Sequence, residues 1–143
     1  MSDQEKWATA VLRVWSETMA AADIAARMDA RPSRSRDIGE PMSRRAQRPV
    51  ASKTAWCIWE SGLDNSAPLE EHIAATLALA ERNSEGLTSL ASSCRMDIQC
   101  AFGSASGQGS AFISASTFKR LSELGIDMII DLYPPPQSGW EPR

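Results

Sequence analysis

The stretch Cys94-Arg-Met-Asp-Ile-Gln-Cys-Ala-Phe102 alternates: Cys94, Met96, Ile98, Cys100 and Phe102 point one way, while Arg95, Asp97, Gln99 and Ala101 point the other. Successive Cβ atoms leave a pleated chain on opposite sides, so this period of two marks a strand with one buried face. The segment before it keeps a different period. Leu69, Ile73, Thr76, Leu77 and Ala80 recur at spacings of three and four, the apolar stripe of a helix that lies on a sheet. A sheet-bound helix followed by a half-buried strand sets the fold class, and the rest of the chain is read outward from this junction.

Upstream, the main helix has a marked start. Asp64, Asn65 and Ser66 offer N-caps, Pro68 suits a first turn, and Glu70 and Glu71 complement the positive end of the helix dipole. Thr54 to Ser61 is rich in aromatic and branched residues and reads as a strand stopped by Gly62. Ala8 to Trp15 alternates strictly, with Ala8, Ala10, Leu12 and Val14 on one face and Thr9, Val11, Arg13 and Trp15 on the other. The Ala-rich run Met19 to Met28 predicts a short helix ending before Arg31-Pro32, and Ser33 to Ile38 could add a polar edge strand. After the main helix, Gly86 to Ala91 adds another turn or two.

Downstream, Gly103 to Ser110 predicts a hairpin loop and Ala111 to Ser114 a short strand. Ser114 caps a helix through Leu124 that Gly125 terminates, with Phe118, Leu121 and Leu124 as its buried stripe. Ile126 to Tyr133 alternates again, and Pro134, Pro135 and Pro136 then end ladder pairing. This order predicts an α+β fold: a mostly antiparallel sheet, ferredoxin-like in part, with helices packed on one face and strands at 8–15, 54–61, 95–103 and 126–133. The domain is expected over 8–134, with a disordered N-terminus at 1–7, a basic flexible loop at 30–52 and a frayed tail at 135–143.

The 143 residues, 43% hydrophobic and 23% charged, suffice for one core without disulfide or metal support. The net charge of −3 conceals a division, because residues 27–53 hold eight basic residues against three acids and the remainder seven against fifteen. A basic segment of +5 is set into a body of −8. Arginine clusters of this kind recognise phosphates or acidic protein surfaces, but no aromatic is interleaved among them to stack bases and the pI is about 5.2, so nucleic acid is the weaker partner. No run is apolar enough to span a membrane and no signal peptide opens the chain, so no membrane role is expected. Cys57, Cys94 and Cys100 form no Cys-x-x-Cys pair and accompany one histidine. That composition fits a reducing cytoplasm and gives no reason to expect a metal or another cofactor.

Four segments in order carry a resemblance: Thr54-Ala-Trp-Cys-Ile-Trp-Glu-Ser61, Leu69-Glu-Glu-His-Ile73, Ile98-Gln-Cys-Ala-Phe102 leading to Gly107-Gln-Gly109, and Leu121-x-x-Leu-Gly-Ile-x-Met-x-Ile-Asp-Leu-Tyr133. Over roughly residues 8–134 the chain resembles the bacterial domain-of-unknown-function family numbered 4279. The resemblance implies a small α+β domain and supplies no catalytic residues. Such proteins carry a second glycine where this chain has Ser110, which implies a looser turn here.

No constellation orders a nucleophile, a base and an oxyanion site. His72, the sole histidine, borders the apolar stripe as a core-edge residue or, alternatively, a base or ligand. Asp127 and Asp131 share a strand face but stand about 13 Å apart, too far to share a proton. Cys94 and Cys100, about 20 Å apart by strand rise, cannot bond to each other. Trp56 and Trp59 are an odd number of residues apart on one strand, so one enters the core while the other can anchor a partner. The favoured expectation is therefore a noncatalytic protein-interaction domain, in its narrower form a toxin-neutralising, immunity-like protein. Its candidate binding residues are Arg44, Arg45, Arg48, Trp56, Trp59, His72 and Asp131, with an acidic partner surface meeting the basic loop and a homodimer left open. The alternative is a small anionic ligand, or a small enzyme, with a pocket lined by Arg44, Arg45, His72 and Asp131.

Overall fold

Strict alternation over eleven residues makes β1 (Lys6–Ser16) the centre of the sheet, and it buries Ala8, Ala10, Leu12, Val14 and Ser16 along one side. The computed structural model describes residues 6–43, 45 and 47–133. Lys6 and Trp7, expected within a disordered N-terminus, are the first residues of β1, while expectations for residues 1–5, Arg44, Pro134 and the 135–143 tail lie outside the described residues. The other elements are α1 (Ala21–Met28), β2 (Arg34–Arg36), β3 (Ala55–Glu60), α2 (Leu69–Arg82), α3 (Ser84–Leu90), β4 (Arg95–Ser104), α4 (Ala115–Leu124) and β5 (Asp127–Tyr133).

The five strands form one sheet in the order β2-β3-β1-β4-β5. The pairs β1–β3, β1–β4 and β2–β3 are antiparallel, whereas β4–β5 is parallel, so the sheet is mixed with antiparallel pairs in the majority. Because β3 and β4 both run antiparallel to β1, they are parallel to each other across it. The helices α2 and α3 make that crossover, which is the split β-α-β unit of ferredoxin-like folds.

All helices cover one face. The sheet contributes Leu12, Val14, Cys57, Trp59, Ile98 and Cys100 to the core, and α1, α2 and α3 contribute Ile24, Met28, Ile73, Leu77 and Leu90. Each such large aliphatic chain contributes about 1.5–3 kcal/mol by leaving water. No helix among the described residues is long and apolar enough to cross a membrane. Within the basic segment, β2 occupies part of the expected edge strand, and a short backbone ladder follows it. Gly39 N–H donates to Ser52 O (2.8 Å), Ser52 N–H to Glu40 O (2.7 Å) and Met42 N–H to Val50 O (2.9 Å).

Several expectations are corrected. The main helix starts later than its capping residues suggest: Pro68 holds the N-cap position, and Asp64 Oδ1 instead accepts from Ser66 N and Oγ at 2.9 and 2.7 Å, closing a turn before it. Gly103–Ser110 is not a hairpin loop, because no strand follows it and the chain runs through an irregular Ala111–Ser114 directly into α4. Ser114 does cap α4, accepting from Thr117 N, and Gly125 ends it in the left-handed region at φ 65°. Phe118 is 53% exposed, however, and Thr117 joins Leu121 in the interior. The reason lies in how α4 is held. Glu70 of α2 accepts from Ser114 N and Thr117 Oγ1, both at 2.7 Å, and Arg120 forks onto Glu81, so α4 packs against α2 and leaves the outer strand uncovered.

Candidate functional site

The sheet face without helices carries side chains whose register the sequence did not reveal. Along one end, Arg36, Trp56, Trp15 and Arg95 sit side by side from β2 to β4. The next row is Arg34, Ile58, Arg13, Asp97 and Asp127, and the third is Glu60, Val11, Gln99 and Ile129. At the far end Trp7 and Tyr133 flank Gly103.

Each end is built by a specific contact. The Arg13 and Arg36 guanidinium groups lie 5.3 Å from the ring centroids of Trp15 and Trp56 respectively, within cation–π range. Arg13 is itself fixed by Asp97, which accepts from its Nε and Nη2 at 2.7 Å each. This bond, more than the accompanying charge attraction, pushes the Arg13 pKa further up. A shallow cleft of about 280 Å³ opens between Arg13, Trp15, Thr54, Trp56 and Ile58. At the other end, a Cβ at position 103 would stand 2.4 Å from Trp7 Nε1. Glycine there lets the indole lie across β4 and meet Tyr133, with ring centroids 5.2 Å apart. Between the ends, Gln99 donates to Asp131 Oδ2 at 2.8 Å.

The face is electrically divided. The β2 side carries Arg34 and Arg36, while β5 carries Asp127 and Asp131, and the Arg13–Asp97 pair lies between them.

Of the residues expected to bind, Trp56 and Asp131 are on this face, separated by β1 and β4. Trp59 is the member of its pair that enters the core; it is 3% exposed and its Nε1–H donates to Ala30 O at 3.1 Å. It is removed from the candidate surface. His72 is fully buried under α2 and not at the core edge; its Nδ1 shares a 2.6 Å hydrogen bond with Ser61 Oγ, and its Nε2 has no partner. His72 and Asp131 are therefore on opposite sides of the sheet and do not line one pocket, while Arg44 lies outside the described residues. Arg45 and Arg48 are exposed in the connection after β2. Burial pushes the Cys57 thiol up to about 11 and the Cys100 thiol up to about 12, which makes both poor nucleophiles.

Sequence reasoning missed Trp7, Arg13, Trp15, Arg36 and Tyr133 as parts of one surface. The alternation of 8–15 already grouped Arg13 with Trp15, but only the pairing register adds Trp56 and Arg36.

A five-stranded mixed sheet with helices on one side and an aromatic, charge-divided open face defines a small α+β domain. The chain belongs to the family described as Domain of unknown function (DUF4279), whose model matches residues 5–135. No curated protein and no solved structure matches it.

Proposed function

We propose that this chain is a noncatalytic bacterial protein-binding domain, and that the Trp15–Trp56 end of its open sheet face receives an acidic surface of the partner. The observation that carries the reading is the pair of half-buried tryptophans, Trp15 and Trp56, flanked by Arg13, Arg36 and Arg95 on the open face. Tryptophan and arginine dominate binding energy because each removes a large, rigid contact area from water at a small entropic cost. The arginines select an acidic partner surface, and exposed Arg45 and Arg48 add positive charge on the same chain. Asp127 and Asp131 across the sheet disfavour a polyanionic nucleic acid. The narrower form of the proposal is neutralisation of a toxin, since such partners meet through complementary charge and aromatic anchors.

The test begins with a partner recovered from the native host. Trp56→Ala should weaken its binding at least tenfold, chiefly through faster dissociation. Changing Arg45 and Arg48 to Glu should slow association and flatten its salt dependence while the melting temperature stays within a few degrees. Unchanged affinity in Trp56→Ala and in Arg36→Glu would remove the open face from any binding role, and a partner without effect on a cell toxin would remove the narrower form.

A further inference from the structure

The two edges of the sheet are built differently. The edge strand β2 has three residues and carries Arg34 and Arg36, two devices that keep an edge from pairing. The opposite edge, β5, is seven residues long and hydrogen-bonded to β4 alone among the described strands. It exposes Ile129 and Ile130 at 42% each, Leu132 at 74% and Tyr133 at 50%. An unprotected row of backbone donors and acceptors flanked by exposed aliphatic chains is a template for another strand. Because α4 is tied to α2 through Glu70 and Glu81, no described residue on the helix side covers Ile130 or Leu132.

We infer that the occupant is a second copy of this chain, its β5 paired antiparallel to the first about a two-fold axis at Ile130. The charges select that register. With the axis at Ile129, Asp127 of each copy would face Asp131 of the other, and with the axis at Asp131 the two Asp131 carboxylates would face each other. Centred on Ile130, Asp127 meets Tyr133 and Asp131 meets Ile129, so no like charges are opposed. On the helix side the same register sets Ile130 against its copy and Leu132 against Met128, joining the exposed aliphatic chains into one stripe. The result is a continuous ten-stranded sheet. This inference stands apart from the proposed role of the open face, because the edge and the face are different surfaces.

Two measurements test it. Light scattering coupled to size exclusion, run across a wide range of concentration, should show a monomer–dimer equilibrium, and Ile130→Lys should shift it to monomer. Position 130 is already exposed, so the circular dichroism and urea midpoint of the variant should match those of the parent. In a Cys94→Ala background, Ile130→Cys should oxidise to a covalent dimer, because directly opposed Cβ atoms lie roughly 4.5–5.5 Å apart. Ile129→Cys should not, since its copy is a diagonal neighbour at roughly 7–8 Å. A chain that stays monomeric at every concentration, or equal cross-linking at 129 and 130, overturns the inference. A dimer lost in Trp56→Ala but kept in Ile130→Lys also overturns it and moves self-association to the open face.

Discussion

Replacing Arg13 with methionine is the most demanding test of how the open face is held. Asp97 is 3% exposed, and its two oxygens accept from Arg13 at 2.7 Å. Removing the guanidinium leaves a buried carboxylate without a counter-charge, a loss of about 3–5 kcal/mol. The Arg13 side chain keeps 28% of its exposure, so water can partly re-enter and the lower end, about 3 kcal/mol, is expected. For a chain of this length, unfolding entropy is about 300 cal/mol/K, which converts that loss into a fall in melting temperature of about 10 °C. Urea titration at neutral pH, followed by far-ultraviolet dichroism, measures it. The double variant Arg13→Met, Asp97→Leu should recover most of the loss, since an apolar pair of similar volume replaces a buried ion pair at little cost. A single-variant loss under about 1 kcal/mol, the range of exposed pairs, would refute the reasoning. So would a double variant no more stable than the single one.

Gly86→Ala would place a Cβ 1.8 Å from the backbone oxygen of Arg27, forcing α3 away from α1; a loss of about 1–3 kcal/mol in the urea titration is expected. Ser61→Ala leaves both nitrogens of buried His72 without partners and should lose about 1–3 kcal/mol, whereas His72→Leu should cost less than Ser61→Ala because it removes the stranded polar atoms altogether. With Cys57 at about 11 and Cys100 at about 12, a thiol reagent at pH 8 should label half-buried Cys94 first and the other two only in denaturant. Rapid labelling of all three in the folded protein would contradict the burial of Cys57 and Cys100.

Alternation made these strands legible: Ala8 to Val14 and Cys94 to Phe102 show their buried faces without tertiary information, whereas Ile126 to Leu132 marks a strand whose Ile130 and Leu132 stay exposed. The limits of α4 were legible because Ser114 and Gly125 act locally, through a side-chain cap and a left-handed residue. Phe118 was misread because its spacing fits a stripe while the tilt of α4 is set by Glu70 and Glu81, which belong to another helix. His72 was placed at the core edge because the partner that lets it be buried, Ser61, lies on a different element. The same separation hid the candidate site. Alternation says that Trp56 and Trp59 face opposite ways, but it cannot say which way is covered, nor that Trp15 will lie beside Trp56. Those facts depend on strand order and register, which emerge only when distant segments pair.

The position of β1 has a consequence for how the chain reaches this state. It is made before every other described strand, yet it sits at the centre of the sheet with a later strand on each side, and Arg13 finds Asp97 only across 84 positions of sequence. On the ribosome, β1 must emerge with both edges unpaired and with Leu12 and Val14 in water until β3 and then β4 have followed. Forming such non-local pairs requires closing long loops before any contact rewards it, so folding should be slow for a chain of this size. During that delay the first strand is the segment most in need of a chaperone, and a pause in translation before β4 would prolong its exposure.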